Sequence, residues 1–127
     1  MKILIVALLL SIPTFAKDNM KLKESLNNVK TNLEMKKISK KLTKSFEEKL
    51  KRTVQRIKKG LKGQQLKSFV SSQQNWEKYL ESEDTFLMHE FGQKMKHGSS
   101  ASLTSRMRKN QLLESRLKYL EALSENI

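Results

Sequence analysis

The side chains that could do chemistry are few, and their spacing does not assemble a reaction centre. His89 and His97 stand eight residues apart, with no H-E-x-x-H pair and no glycine-rich loop to cradle a phosphate. Glu81 and Glu83 are two residues apart, which puts them on different faces of a helix, so a paired-carboxylate site would have to be built from separate segments. Serines are plentiful, but none sits in a nucleophile elbow. There is no cysteine to act as nucleophile, redox centre or metal ligand. This inventory predicts no catalytic residue, no cofactor, no metal and no small-molecule substrate, and it points to a binding protein.

The most distinctive residues are those of segment 71–84, SSQQNWEKYLESED, which holds the single tryptophan. Trp76 and Tyr79 could form an exposed platform for a glycan or a partner. Their helical spacing with Phe69 and Leu80 favours a core anchor instead, with the Tyr79 hydroxyl at the rim. Gln73, one turn before Trp76 on the same stripe, is expected to hydrogen-bond a backbone carbonyl. Glu77, Glu81, Glu83, Asp84 and Glu90 form the one acidic cluster, where a cationic partner would find complementary charge. The plainer reading of that cluster is a solvated face paired with lysines.

Residues of this kind must be held by helices. From Leu22 the apolar positions Leu26, Val29, Leu33, Ile38, Leu42, Phe46, Leu50, Val54, Ile57 and Leu61 recur at spacings of mostly three or four. The weak helix formers Asn27, Asn28, Thr31 and Asn32 could interrupt that run, and Gly60 is its expected stop after a basic last turn. A second stripe runs through Leu66, Phe69, Val70, Gln73, Trp76, Leu80, Leu87 and Met88. A third follows Gly98, with Ser100 or Ser102 as its cap, and takes in Leu103, Met107, Leu113, Leu117, Leu120 and Leu123. No period-two alternation of useful length appears. The expected fold is all-α: a small bundle or array of about three amphipathic helices joined by short Gly/Ser turns.

The first sixteen residues, MKILIVALLLSIPTFA, combine one lysine, a short apolar run and a small-residue ending. That pattern predicts a secretory signal peptide cleaved after Ala16, and the apolar run is well short of the ~20 residues that span a bilayer. Export, to the periplasm or beyond the cell, is the expected destination. Residues 17–30 read as an N-terminal segment that could fray, and residues 31–127 as one helical domain. Without residues 1–16 the chain holds 25 Lys and Arg against 13 Asp and Glu, because only Lys2 is lost. A field of that sign attracts polyanions, from nucleic acid to the phosphates of lipopolysaccharide, weakly and with steep salt dependence. The long apolar stripe also leaves open whether the chain is a monomer or a homodimer paired through its first helix.

Gln73-Gln74-Asn75-Trp76-Glu77-Lys78-Tyr79 is similar to the Q-x-x-W-x-x-[FY] helix of the LprI-type lysozyme-inhibitor family. Glu34-Met35-Lys36 resembles that family's E-M-N, Leu50 sits where it has L-N, and Leu66 precedes the tryptophan motif at its spacing. Gly98-Ser99 resembles its G-G-S turn, and the segment 113–120, with Arg116, resembles its closing L-T-x-x-R-x-x-x-L helix. The resemblance spans roughly residues 31–123. It implies a small exported helical domain of the bacterial cell envelope whose partner is a protein, lysozyme. The structural motif would comprise Leu66, Gln73, Trp76, Tyr79 and Arg116. Contacts that could occlude an enzyme cleft are the 96–102 turn, with Lys96, His97, Ser99 and Ser100, or the basic end at 58–62. Glu77 and Glu81 would supply charge complementary to a basic lysozyme. The chain departs from the family where cysteines are usual: those places fall near Ile38, Asp84 and residues 107–109, and the family's R-D is Leu80-Glu81 here.

Overall fold

The computed structural model describes residues 14–27, 31–94 and 99–127. These form four α-helices: α1 (Thr14–Asn27), α2 (Asn32–Gly60), α3 (Gly63–Lys94) and α4 (Ser99–Ser124). The all-α class is as expected, but the helix count is four where about three were anticipated, because the long first stripe divides between Asn27 and Asn32. The restart is set by Thr31, whose extended backbone (φ −116°, ψ 143°) lets its hydroxyl accept the Glu34 N–H at 3.3 Å. Thr31-Asn32-Leu33-Glu34 therefore carries the S/T-x-x-E spacing of a capping box, a local signal for the boundary. The expected signal peptide lies outside the described residues as far as residue 13.

At its other end α2 stops at Gly60, as the sequence suggested. Leu61 turns extended and its N–H bonds the Lys58 carbonyl at 3.4 Å. The glycine that uses its conformational freedom is Gly63, whose φ of +57° opens α3. Ser100 and Ser102 do not cap α4; both lie inside it, since the helix begins at Ser99.

The topology follows from which helix covers the α2 stripe. α4 packs against α2 along most of its length and against α3 on its other side, α1 lies on α2, and α2 and α3 scarcely touch. Pairings such as Asn110 with Ser39 and Lys49 with Glu121 show α4 running parallel to α2 and inserted between the two long helices. The core joins Leu42, Phe46, Leu50, Val54 and Ile57 of α2 to Phe69 of α3 and Leu113, Leu117 and Leu120 of α4. Ile57, Leu113 and Leu120 are fully buried. Burial of these side chains, each contributing ~1.5–3 kcal/mol, is the main driving force of the fold. Three expected stripe members, Leu33, Met88 and Met107, are exposed instead. Met88 is turned away because Leu87 is the inward residue, and one step along a helix rotates the side chain by about 100°. On α4 the buried position next to Leu113 belongs to Asn110, a polar residue that an apolar count passes over.

Asn110 makes a buried polar contact between α4 and α2. Its Nδ2 donates to the Ser39 carbonyl at 3.1 Å and its Oδ1 accepts the Thr43 hydroxyl at 2.6 Å. Polar contacts also hold α1: the Ser45 hydroxyl donates to the buried Asn19 side chain at 2.7 Å, and Lys23 pairs with Glu114 of α4. Burial acts to raise the Glu114 pKa, but the hydrogen bond and charge of Lys23, with Lys118 beyond, outweigh it and hold the carboxyl below its ordinary 4.5. A carboxylate depressed in this way stabilises the fold above pH 4.5, and the contribution is lost as pH falls through the folded value. In urea unfolding, Glu114→Gln should therefore cost up to about 1 kcal/mol at neutral pH and converge with the parent once pH has fallen through the lowered value of the folded carboxyl. A gap that persists unchanged at acid pH would show that the charge is not what anchors α1.

Candidate protein-docking face

Where α3 meets α4 outside the core, two of the motif residues, Gln73 and Trp76, meet the guanidinium of a third, Arg116. Gln73 is buried, and its Oε1 accepts two N–H groups of Arg116, from Nε at 3.2 Å and Nη2 at 3.1 Å. The expectation that Gln73 serves a backbone carbonyl is thus corrected: its partner is a side chain 43 residues away. Nη2 also reaches the Ser72 hydroxyl at 3.5 Å. The guanidinium lies over two rings, 5.7 Å from the Trp76 centroid and 5.3 Å from that of Tyr119. Burial lowers the Arg116 pKa, with the Tyr119 charge acting the other way, yet a guanidinium stays protonated at any physiological pH.

Trp76 is partly buried and packs on the core, which makes it the anchor the spacing suggested. Tyr79 is 48% exposed, so more than its hydroxyl reaches solvent, and Leu66 is half-buried near the start of α3. Tyr119, 57% exposed, was not singled out from the sequence, although it follows Arg116 by three residues, the spacing at which a helix brings two side chains together.

The acidic cluster splits in two. Glu83 pairs with Arg108 at 3.4 Å, and Asp84 accepts the Ser105 hydroxyl at 2.6 Å, so both tie α3 to α4. Glu77 and Glu81 are exposed and make no ion pair among the described residues. Charge is segregated on a larger scale as well. α2 carries eleven Lys and Arg against three Glu, whereas α3 carries five acidic residues against three lysines. Lys51, Arg52, Arg56 and Lys59 line an open concavity of about 620 Å³ on the outside of α2. A second groove, of about 310 Å³, lies between α2 and α3, with Leu50, Val54, Trp76, Leu80 and Leu113 inside and Lys51, Lys58, Glu47 and Glu77 among its lining. A third, of about 360 Å³, lies between α1 and α4 around Met20 and Phe46.

Lys96 and His97 lie outside the described residues, and Ser99 and Ser100 form the backbone of the first turn of α4. At the other candidate end, Lys59 and Lys62 are exposed and Lys58 is half-buried. His89 is exposed, and among the described residues no three His, Cys, Asp or Glu side chains are grouped to hold a metal ion. No described helix is long and apolar enough to cross a membrane.

A family model described as "Lysozyme inhibitor LprI" matches residues 23–120, which takes in part of α1, all of α2 and α3, and α4 as far as its last buried leucine. This chain belongs to the LprI family. No curated protein and no solved structure matches it. The LprI match begins within α1, earlier than the motifs alone suggested, consistent with α1 packing on α2. The chain is a cysteine-free member. Two of the places where the LprI resemblance puts cysteines, near Asp84 and at 107–109, come together here, and the Asp84–Ser105 hydrogen bond and Glu83–Arg108 ion pair join them.

Proposed function

We propose that this LprI-family chain is an exported, non-enzymatic binding protein of the bacterial cell envelope that binds lysozyme and blocks its attack on peptidoglycan. The family match over residues 23–120 carries this reading. Signal-peptide cleavage after Ala16 would release residues 17–127 to the periplasm or the medium. Animal-type lysozymes are basic, and a uniformly basic inhibitor would be repelled at long range. The segregation of charge supports approach along α3, where Glu77 and Glu81 are unpaired, with α2 turned away. The segment 96–102, with Lys96, His97, Ser99 and Ser100, is the other proposed contact. The apolar stripe of α2 is covered by α4 and α1 within the chain, which favours a monomer over a dimer through that helix.

The test is direct binding of purified residues 17–127 to an animal-type lysozyme at near-physiological salt, with hydrolysis of a soluble oligosaccharide as the activity readout. A basic protein could coat whole cell walls and imitate inhibition, and a soluble substrate removes that route. Saturable binding that survives added salt, with loss of hydrolysis, is expected. Absence of binding would sink the proposal. A second reading, polyanion binding, is favoured by the outer face of α2, where the cations around the 620 Å³ concavity outnumber Glu48 four to one. It predicts capture of lipopolysaccharide or DNA that falls steeply with salt.

A further inference from the structure

Arg116 is held as a binding group is held. Of its five N–H donors, Gln73 engages two and Ser72 lies at the edge of hydrogen-bond range. No carboxylate lies within 4 Å of it among the described residues, although Glu77 is next in sequence to Trp76 and stands free. The Gln73 hydrogen bonds and the two ring contacts hold the guanidinium in place, and its partial burial strengthens any charge that meets it. A fixed guanidinium with an open edge is built for a carboxylate, which it can take with two parallel hydrogen bonds. Around it are an exposed Tyr119 and a partly buried Trp76, and Arg, Tyr and Trp are the residues that dominate protein interfaces. Neither Arg116 nor Tyr119 lines any of the three concavities described above, so this part of the surface suits insertion into a partner's cleft better than enclosure of a small ligand.

We infer that Arg116, framed by Trp76 and Tyr119, is the anchor that enters the lysozyme cleft and pairs with a carboxylate there. The inference rests on the lysozyme reading and names its contact point. A glycosidase cleft supplies the complement, since it carries two carboxylates flanking the sugar site. Glu77 and Glu81 then have a different role: unpaired and solvent-exposed, they steer the encounter and do not hold the complex.

Trp76 is the single tryptophan, so 5-fluorotryptophan incorporated into the 17–127 chain gives one fluorine reporter, on a ring whose centroid lies 5.7 Å from the Arg116 guanidinium. Titration with unlabelled animal-type lysozyme should shift or broaden that resonance. Arg116→Gln should weaken binding about tenfold or more through faster dissociation, and Tyr119→Ala, at an exposed position, should weaken it without loss of fold. Glu77→Gln with Glu81→Gln should slow association and leave dissociation unchanged. Circular dichroism and thermal melting establish that each variant is folded. Lysozyme binding with an unmoved fluorine signal, and with Tyr119→Ala and folded Arg116→Gln within twofold of the parent, overturns the anchor and leaves the lysozyme reading standing. No lysozyme binding by the parent chain overturns both.

Discussion

Leu120→Ala is expected to cost about 3 kcal/mol of folding stability, the largest effect of any single truncation proposed for this chain. Leu120 is 0% exposed and sits where α4 closes on α2, with Leu113 and Ile57 as the other fully buried large side chains. Removing three methylene-sized groups there loses their transfer free energy and leaves a cavity that two packed helices cannot fully close. Small domains hold only about 5–15 kcal/mol in reserve, and one without disulfides has no covalent link to offset the loss. In urea, with a slope of ~1.5 kcal/mol per molar, the midpoint should fall by about 2 M. Arg116 lies one turn before Leu120 on the same helix, so the variant should also loosen the contact with Gln73. A loss below about 1 kcal/mol would mean that α4 is not seated on α2 as described.

Asn110→Ala should cost about 2–3 kcal/mol, more than its size suggests. The side chain is 7% exposed, and it binds both Ser39, through the carbonyl at 3.1 Å and the hydroxyl at 3.3 Å, and Thr43. Truncation takes away those hydrogen bonds and leaves the Ser39 hydroxyl in a dry interface without its partner, which is costlier than never having had one. The Thr43 hydroxyl is less affected, because the Ser39 carbonyl lies 2.9 Å away on its own helix. Thr43→Val alone should be milder, and the double variant should cost less than the two single losses added, with a coupling of about 0.5–1 kcal/mol or more in a chemical-denaturation cycle. Strict additivity would show that Asn110 and Thr43 do not act together. The contact also fixes how α4 slides along α2, since a one-turn shift would leave three polar groups facing leucines.

The missing cysteines have a physical counterpart. Where the family resemblance places them near Asp84 and 107–109, this chain joins α3 to α4 through Asp84, Ser105, Glu83 and Arg108. Such contacts contribute less than a disulfide and weaken with salt, so more of the stability falls to the leucine core.

By itself the sequence determined the all-α class and the family. The run from Leu42 to Ile57 repeats at spacings of three and four, and that period comes from backbone geometry acting between near neighbours, so it is legible without a partner helix. The stop at Gly60 and the Trp76 anchor were legible for the same reason, and the Thr31–Glu34 cap was written in the chain though not drawn from it. The tertiary structure decided what faces what. That α4 inserts between α2 and α3, that Asn110 and not Met107 takes the inward position, and that Gln73 holds Arg116 all depend on pairs more than 20 residues apart. It also sorted the acidic cluster, giving Glu83 and Asp84 to the α4 interface and leaving Glu77 and Glu81 to solvent. Such pairings leave no periodic trace, because a side chain chooses a distant partner only after the helices have packed.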